Sequence, residues 1–302
     1  MNANITTSIA ITTSIAASEL IITEKGTIYH LDLAPEHLAP TVITVGDPNR
    51  VKEVSKHFDR LTHTAAHREF VTHTGYIGNK HISVVSTGIG PDNIDIVFNE
   101  LDALVNIDLQ TRTIKEHKTT LSIIRLGTCG ALQADIAVDS MIVSSHGIGL
   151  DNLLHYYRSS NTPDESYILS EFQRHTNLGQ NHIIPYITEA AISLRKYFGA
   201  EYVHGITVTC PGFYGPQGRV LRLPVAFPHL IDALTTFSCH DNRVTNFEME
   251  TSAIYGLGKL LGHKCLSIST VVANRTNKTF SKDGNKAVEH MIKHSLEIIA
   301  GI

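Results

Sequence analysis

Short β-branched runs that stop at a glycine turn and give way to a helical pattern recur along this chain, and they restrict it to an α/β fold. Thr41-Val-Ile-Thr-Val45 ends at Gly46-Asp-Pro48, and residues 49–58 then read as helix. His81-Ile-Ser-Val-Val-Ser86 ends at Thr87-Gly-Ile-Gly90. Pro91 suits a first helical position, and Ile94, Val97, Phe98 and Leu101 follow at helical spacing. Residues 122–126, 140–144, 205–209 and 266–272 read as buried strands. Helices are expected over 92–105, 187–197, 250–262 and 285–299. Strands alternating with helices predict an α/β fold with a mostly parallel or mixed sheet.

Two polar stretches, 106–119 and 158–182, look like surface excursions. The strands on both sides of each are needed for one sheet, so residues 23–302 are expected to form one domain. Residues 1–22 carry a tandem repeat, Ile5-Thr-Thr-Ser-Ile-Ala10 and Ile11-Thr-Thr-Ser-Ile-Ala16. This stretch lacks the basic region of a secretory signal and the arginines of a transit peptide, and reads as a poorly ordered low-complexity leader.

The composition is that of a globular protein with a sizeable core: 302 residues, 42% hydrophobic and 18% charged. A net charge of -4 without a dense Lys/Arg stripe gives no reason to expect a nucleic-acid partner. No apolar run approaches the roughly 18 residues of a membrane helix. Cys129, Cys210, Cys239 and Cys265 lie far apart and form no CxxC pair, which favours a reducing, cytoplasmic setting over disulfides or zinc. The eighteen histidines form no HExxH or close His/Cys cluster, so no metal is expected.

Two segments carry most of the chemistry. Asn246-Phe-Glu-Met-Glu-Thr-Ser-Ala253 sets Glu248 and Glu250 on either side of Met249, ahead of a helical pattern. An ionised carboxylate is acceptor-only and suits sugar hydroxyls; acids at a helix start also complement its dipole. Ile123-Ile-Arg125-Leu-Gly-Thr-Cys-Gly130 puts an arginine inside an apolar run, which is costly unless an anion or an internal partner meets it. A sugar site and an anion site together suggest chemistry on a nucleoside with phosphate.

Three weaker signals join them. Gly46-Asp-Pro-Asn-Arg50 ends a strand and opens a helix, an arrangement that offers backbone N–H groups and Arg50 to an anion, or serves only as a tight turn. Arg68-Glu69 is an anion-site candidate or a surface ion pair. Phe213-Tyr-Gly-Pro-Gln217-Gly-Arg219 places an aromatic ring for stacking beside an amide and a guanidinium fork for ring carbonyls, or is a plain Gly/Pro-rich loop. Thr87-Gly-Ile-Gly-Pro lacks the third spaced glycine of a dinucleotide site. Cys129 has no evident His partner, so packing is its expected role.

Together these segments resemble the nucleoside phosphorylase superfamily, and most closely its uridine phosphorylase branch. The matching motifs are Gly46-Asp-Pro-Asn-Arg50, His67-Arg-Glu-Phe70, Ser86-Thr-Gly-Ile-Gly90, Arg125-Leu-Gly-Thr128, Phe213-Tyr-Gly-Pro-Gln-Gly-Arg219, Phe247-Glu-Met-Glu250 and Asn274-Arg275-Thr276. They occur in the family's order and cover nearly everything from about residue 27 onward.

The resemblance implies a single-domain, three-layer fold with a central mixed sheet flanked by helices. It implies that Gly46, Arg50, Arg125 and Thr128 bind phosphate, helped by Arg68 from a neighbouring subunit. His30 would reach across the dimer to the ribose 5′-hydroxyl, with Glu248, Met249 and Glu250 holding the ribose. Phe213, Gln217, Arg219, Val272 and Ala273 would surround the base. At least a homodimer follows, extended in some relatives to a hexamer as a trimer of dimers, and a potassium ion near Glu69 is implied in the same way. In the purine branches an aspartate stands near the position of Asn274; asparagine cannot act as a general acid, which favours a pyrimidine.

The expected activity is phosphorolysis of uridine to uracil and ribose 1-phosphate in pyrimidine salvage, with Arg219, Gln217, Glu250 and Arg125 as the working residues. Broader or purine specificity, hydrolysis, and noncatalytic nucleoside binding are the alternatives. The departures from the family's pattern are the leader, the 106–119 and 158–182 stretches, Pro211-Gly212 and residues 219–245.

Overall fold

The computed structural model describes residues 14–302. The first half of the chain runs β1 (Thr41–Val45), α1 (Pro48–Ser55), β2 (Arg60–His67), β3 (Phe70–Ile77), β4 (Lys80–Ser86), α2 (Pro91–Asn106), the short hairpin β5 (Ile107–Asp108) and β6 (Thr113–Ile114), β7 (Ser122–Ala131) and β8 (Met141–Gly149). Then come α3 (Pro163–Thr176), β9 (Tyr186–Glu189), α4 (Ile192–Arg195), β10 (Val203–Thr209), α5 (Leu230–Thr236), β11 (Ser238–Cys239), β12 (Asn242–Glu248), α6 (Thr251–Leu261), β13 (Lys264–Asn274), β14 (Thr279–Phe280) and α7 (Gly284–Ala300).

Twelve strands form one mixed sheet in the order β11-β12-β10-β8-β13-β7-β1-β4-β3-β2, with β9 on β8 and β14 on β13. The pairs β1–β4, β1–β7, β7–β13, β8–β10 and β10–β12 are parallel. β12 also pairs antiparallel with the end of β7, through Asn246↔Ala131 and Phe247↔Gly130. The sheet therefore curls back on itself, and β7, β13, β8, β10 and β12 close a ring. The ring brings Glu248, at the end of β12, next to the arginine strand β7.

The helices cover this sheet as their apolar spacing requires. On α2, Ile94, Val97, Phe98, Leu101 and Leu104 are fully buried. α6 and α7 add Ile254, Leu257, Met291, Leu296 and Ile299 to the same core, which also holds β1, β4, β7 and β13. Pro91 opens α2 directly after Gly90, whose φ of 98° a side chain would oppose.

Several boundaries differ from expectation. The predicted helix over 187–197 divides into strand β9 and the one-turn α4, because Ala190 and Ala191 leave the strand to bond Ser145 and Cys265. The 158–182 stretch is not a surface excursion: α3 buries Ile168 and Phe172 and starts with a capping box between Thr162 and Glu165. Lys259 of α6 then holds Glu165 at 2.7 Å. The 106–119 stretch carries the β5–β6 hairpin.

Residues 14–22 of the expected leader pack onto the fold. Ile15 N bonds Arg112 O at 2.8 Å, Leu20 is buried, and Ile22 bridges Ile28. The remainder of the leader lies outside the described residues. Strands β2, β3 and β12 were not foreseen. β2 is mostly exposed, rich in Thr and His, and lies at the sheet edge; β12 buries polar Thr245 and Asn246 where an apolar run was sought.

Candidate active site

At the carboxyl ends of β1, β7, β12 and β13 lies a cavity of about 740 Å³. Such a position is where parallel strands leave side chains and helix starts free to meet a ligand. Gly46, Arg50, Arg125, Thr128, Glu248, Met249, Glu250, Phe213, Gln217, Arg219, Val272 and Ala273 all line it.

Arg125 is the central charge. Its residue is 6% exposed, and its guanidinium meets Glu250 Oε2 at 2.5 Å, Ser269 Oγ at 3.1 Å and Glu248 Oε2 at 3.2 Å. Burial opposes the arginine's charge, but the Glu248 and Glu250 carboxylates outweigh it and hold the group above its ordinary pKa. Glu250 shifts upward too: burial pushes its carboxyl above the usual range, and Arg125 reverses this only in part. The internal partner read as one alternative for Arg125 is present in Glu248 and Glu250, and the residue also lines the cavity.

The two glutamates differ in how far the fold occupies them. Glu248 accepts from the N–H groups of Glu250 and Thr251 at 2.9 Å and 3.0 Å, and from Thr209 Oγ1 at 2.7 Å. It caps the first turn of α6, so the dipole reading applies to it. Glu250 sits at the N-cap of α6 and spans the cavity, with Oε1 taking the Gly90 N–H at 2.8 Å and Oε2 facing Arg125.

Arg50 enters from the first turn of α1, which Asp47 caps through the Asn49 N–H at 2.9 Å. Burial first, and the charge of Arg125 second, lower its pKa. Two guanidinium groups thus act on one another in the same cavity, an arrangement that can accept an anion. Arg68 does not join them in this chain. It lies at the β2–β3 turn with φ 54°, its guanidinium 5.9 Å from the Tyr29 ring centre.

His30 belongs to the same outer cluster as Arg68. Its Nδ1 is 2.6 Å from Glu100 Oε1, its carbonyl oxygen is 3.1 Å from His67 Nδ1, and Tyr29 stacks edge-on between His30 and His67. Neither His30 nor Arg68 lines the cavity of its own chain. Glu69 does, where its Oε1 accepts from Asn93 Nδ2 at 3.3 Å.

Arg219 lies 3.7 Å above the Phe213 ring centre and donates to Phe213 O at 2.7 Å and Gln217 Oε1 at 2.5 Å. Arg275 Nη1 holds the same loop through Gln217 O at 3.1 Å. Gln217 is buried, and its Nε2 has no protein partner among the described residues, so it remains available to a ring carbonyl. Burial lowers the Arg219 pKa, with Arg275 adding to the effect.

Asn274 lies elsewhere than the sequence argument placed it. Its Nδ2 donates to Gln133 O at 2.8 Å and Ile136 O at 2.7 Å, and its Oδ1 accepts from Asn277 N at 2.8 Å. The side chain is spent on clamping loops and does not line the cavity. Cys129 lines the wall with its thiol pushed by burial up to about 12, which leaves it protonated and unsuited to attack. Wall residues that the motifs did not single out as ligand contacts are Ile89, Asn93, Phe247 and Phe280. Phe280 sits on the two-residue β14, where no periodicity marks it.

A curled mixed sheet whose cavity gathers two arginines, two carboxylates, a methionine and a stacked Arg–Phe pair defines an α/β protein with a polar, ring-lined cleft at its strand ends. The chain belongs to the Phosphorylase superfamily, whose family model matches residues 40–300. It is 31% identical over 282 residues to a uridine phosphorylase of Thermococcus kodakarensis, covering 92% of this chain and 88% of that protein. A uridine phosphorylase of Haemophilus influenzae is 28% identical, over 88% of this chain and 96% of its own. The crystal structure of a Trypanosoma brucei nucleoside phosphorylase, described as showing uridine phosphorylase activity, matches with a TM-score of 0.84 at 31% identity, over 94% of this chain and 100% of that one. Among the described residues no helix is long and apolar enough to cross a membrane.

Proposed function

We propose that this protein is a uridine phosphorylase, a pentosyltransferase that converts uridine and phosphate reversibly to uracil and ribose 1-phosphate. The observation that carries the reading is the set of groups gathered in one cavity: Arg50 and Arg125, Met249 and Glu250, and Gln217 and Arg219. Those three sets offer partners for phosphate, ribose and base respectively.

In this reading a phosphate oxygen attacks the anomeric carbon while the bond to uracil N1 breaks and its electron pair leaves with the base. A proton from solvent completes uracil. Positive charge develops on the sugar, where phosphate and the Glu250 carboxylate face it. Negative charge develops on the uracil oxygens, which Gln217 Nε2 and Arg219 are placed to meet with preorganised donors. No enzyme nucleophile is required, in keeping with the protonated Cys129 thiol.

His30 and Arg68 enter the reading through a second copy of the chain. They share one patch outside the cavity with Tyr29 and His67, so a single dimer contact would carry both to the partner's cleft. We assign the protein at least a homodimer on this ground. A potassium ion near Glu69 rests on the resemblance alone: one chain supplies one carboxylate there, already bonded to Asn93.

The test is ultraviolet detection of base release from uridine, thymidine and inosine, each with and without inorganic phosphate. Phosphate-dependent cleavage of uridine supports the reading. Cleavage that ignores phosphate would mean a hydrolase, preference for inosine a purine enzyme, and no cleavage a binding protein.

A further inference from the structure

A second cavity, of about 290 Å³, opens at the opposite end of the sheet. Its floor is the start of three adjacent strands: Thr41 on β1 is the register partner of Ser122 on β7, which is the partner of Lys264 on β13. Lys80, the first residue of β4, and Lys196, just past α4, complete a rim of three ammonium groups, with Tyr197 beside them. From Ser122 to Thr128 the strand climbs six residues, roughly 20 Å at ~3.3 Å per residue, so this pocket is distinct from the cleft.

We infer that this pocket binds a phosphate monoester bearing a planar group, in chemical class a nucleoside monophosphate. Three positive charges gather on one small rim in a chain whose net charge is -4. Lys196 and Lys264 have neither a carboxylate nor a hydrogen-bond acceptor among the described residues, while Lys80 donates to the main-chain oxygen of Ile302. A phosphate dianion in the pocket would be attracted by the ammonium groups that line it.

The hydroxyls point the same way. Thr41 is only 5% exposed and lines the pocket, and its Oγ1 has no protein partner among the described residues. Ser122 Oγ is likewise unpartnered there. Two hydroxyl donors at the floor and the ammonium donors of Lys196 and Lys264 at the rim, with Lys80 already bonded to Ile302, match the acceptor-only oxygens of a phosphate. Tyr197 is 44% exposed, with Lys196 Nζ 5.0 Å from its ring centre, and offers a face for a planar group.

The test is calorimetric titration of the full chain with adenosine 5′-monophosphate, and separately with inorganic phosphate. The variants are the double substitution Lys196→Ala/Lys264→Ala, and Arg50→Ala, which disables the anion end of the cleft. Adenosine monophosphate is expected to bind the wild type and Arg50→Ala alike, and to weaken at least about tenfold in the double lysine variant. That variant should retain wild-type phosphorolysis of uridine, which shows that it folds and reads the proposed activity independently. Binding that survives the lysine substitutions but is lost in Arg50→Ala would place the nucleotide in the cleft and overturn the inference. So would the absence of binding at millimolar concentration. Inorganic phosphate filling the pocket as tightly as the nucleotide would overturn the part assigned to Tyr197.

Discussion

The Arg125 guanidinium occupies the space that a side chain on Gly127 would need: a Cβ there would lie 1.7 Å from Arg125 Nη1. The arginine curls over its own strand two residues on, and only glycine lets it reach Glu250 and Ser269. Gly127→Ala is therefore expected to displace the guanidinium without removing it. A shift of about 1 Å at a positioned group costs on the order of 100-fold, so the KM for phosphate should rise steeply while the KM for uridine changes little. Steady-state kinetics at varied phosphate would check this, and unchanged phosphate saturation would separate Arg125 from phosphate binding.

Glu250 carries a pH prediction. Its folded pKa is raised above the ordinary 4.5, chiefly by burial. With the folded value above the unfolded one, the ionised carboxylate costs stability at neutral pH, and that cost disappears as pH falls through the folded pKa. Acidification should therefore remove activity before it removes the fold at this group. The acid limb of kcat/KM is expected above pH 4.5, and Glu250→Gln should flatten it while lowering the rate by about 100-fold. A pH profile with the same acid limb in Glu250→Gln would assign the titration to another residue.

Arg219 separates base chemistry from phosphate binding. Its planar guanidinium stacks on Phe213 and is locked by Gln217 Oε1. Arg219→Ala should lower kcat on the order of 100-fold and leave the KM for phosphate in place. Arg219→Lys should rescue little, because an ammonium neither stacks nor forks. Full activity in either variant would remove Arg219 from the mechanism.

Asn274→Asp tests a position where sequence and structure part. An aspartate there would turn a carboxylate toward the carbonyl oxygens of Gln133 and Ile136, in place of the two N–H donors they now receive. The expected outcome is a loss of about 3 kcal/mol in stability, read by urea unfolding, with no gain in inosine cleavage. Inosine activity in a stable variant would return residue 274 to the base site.

What was legible in the sequence follows from how local each signal is. Arg125 stood out because a charge inside an apolar strand has few physical excuses, and Glu250 because its spacing from Met249 and the helical pattern fixed its place at a helix start. Gly46, Thr128 and Gln217 were carried by short motifs at glycine turns, where backbone conformation is set within a few residues. The β12–β7 pairing that closes the sheet was not legible, since Asn246 and Ala131 are more than a hundred positions apart and no local pattern links them. Neither was the destination of the Asn274 side chain, which depends on two carbonyl groups from a distant loop. Edge strand β2 escaped because its exposed Thr residues give no apolar alternation, and its neighbour β3 because the positions it buries include Thr72 and Thr74 rather than an apolar run. The helix in 158–182 has a local signal in Thr162-Pro-Asp-Glu165, a capping box, but the polarity around it masks the short apolar stripe of Ile168 and Phe172.

The central claim is that phosphate, held by Arg50 and Arg125, is the group that attacks the sugar. Phosphorus-31 NMR of the protein with uridine and inorganic phosphate tests it most directly. The account predicts a ribose 1-phosphate resonance that grows in step with uracil release and is suppressed in Arg50→Ala. Uracil release accompanied by free ribose, with the phosphate signal unchanged, would contradict it.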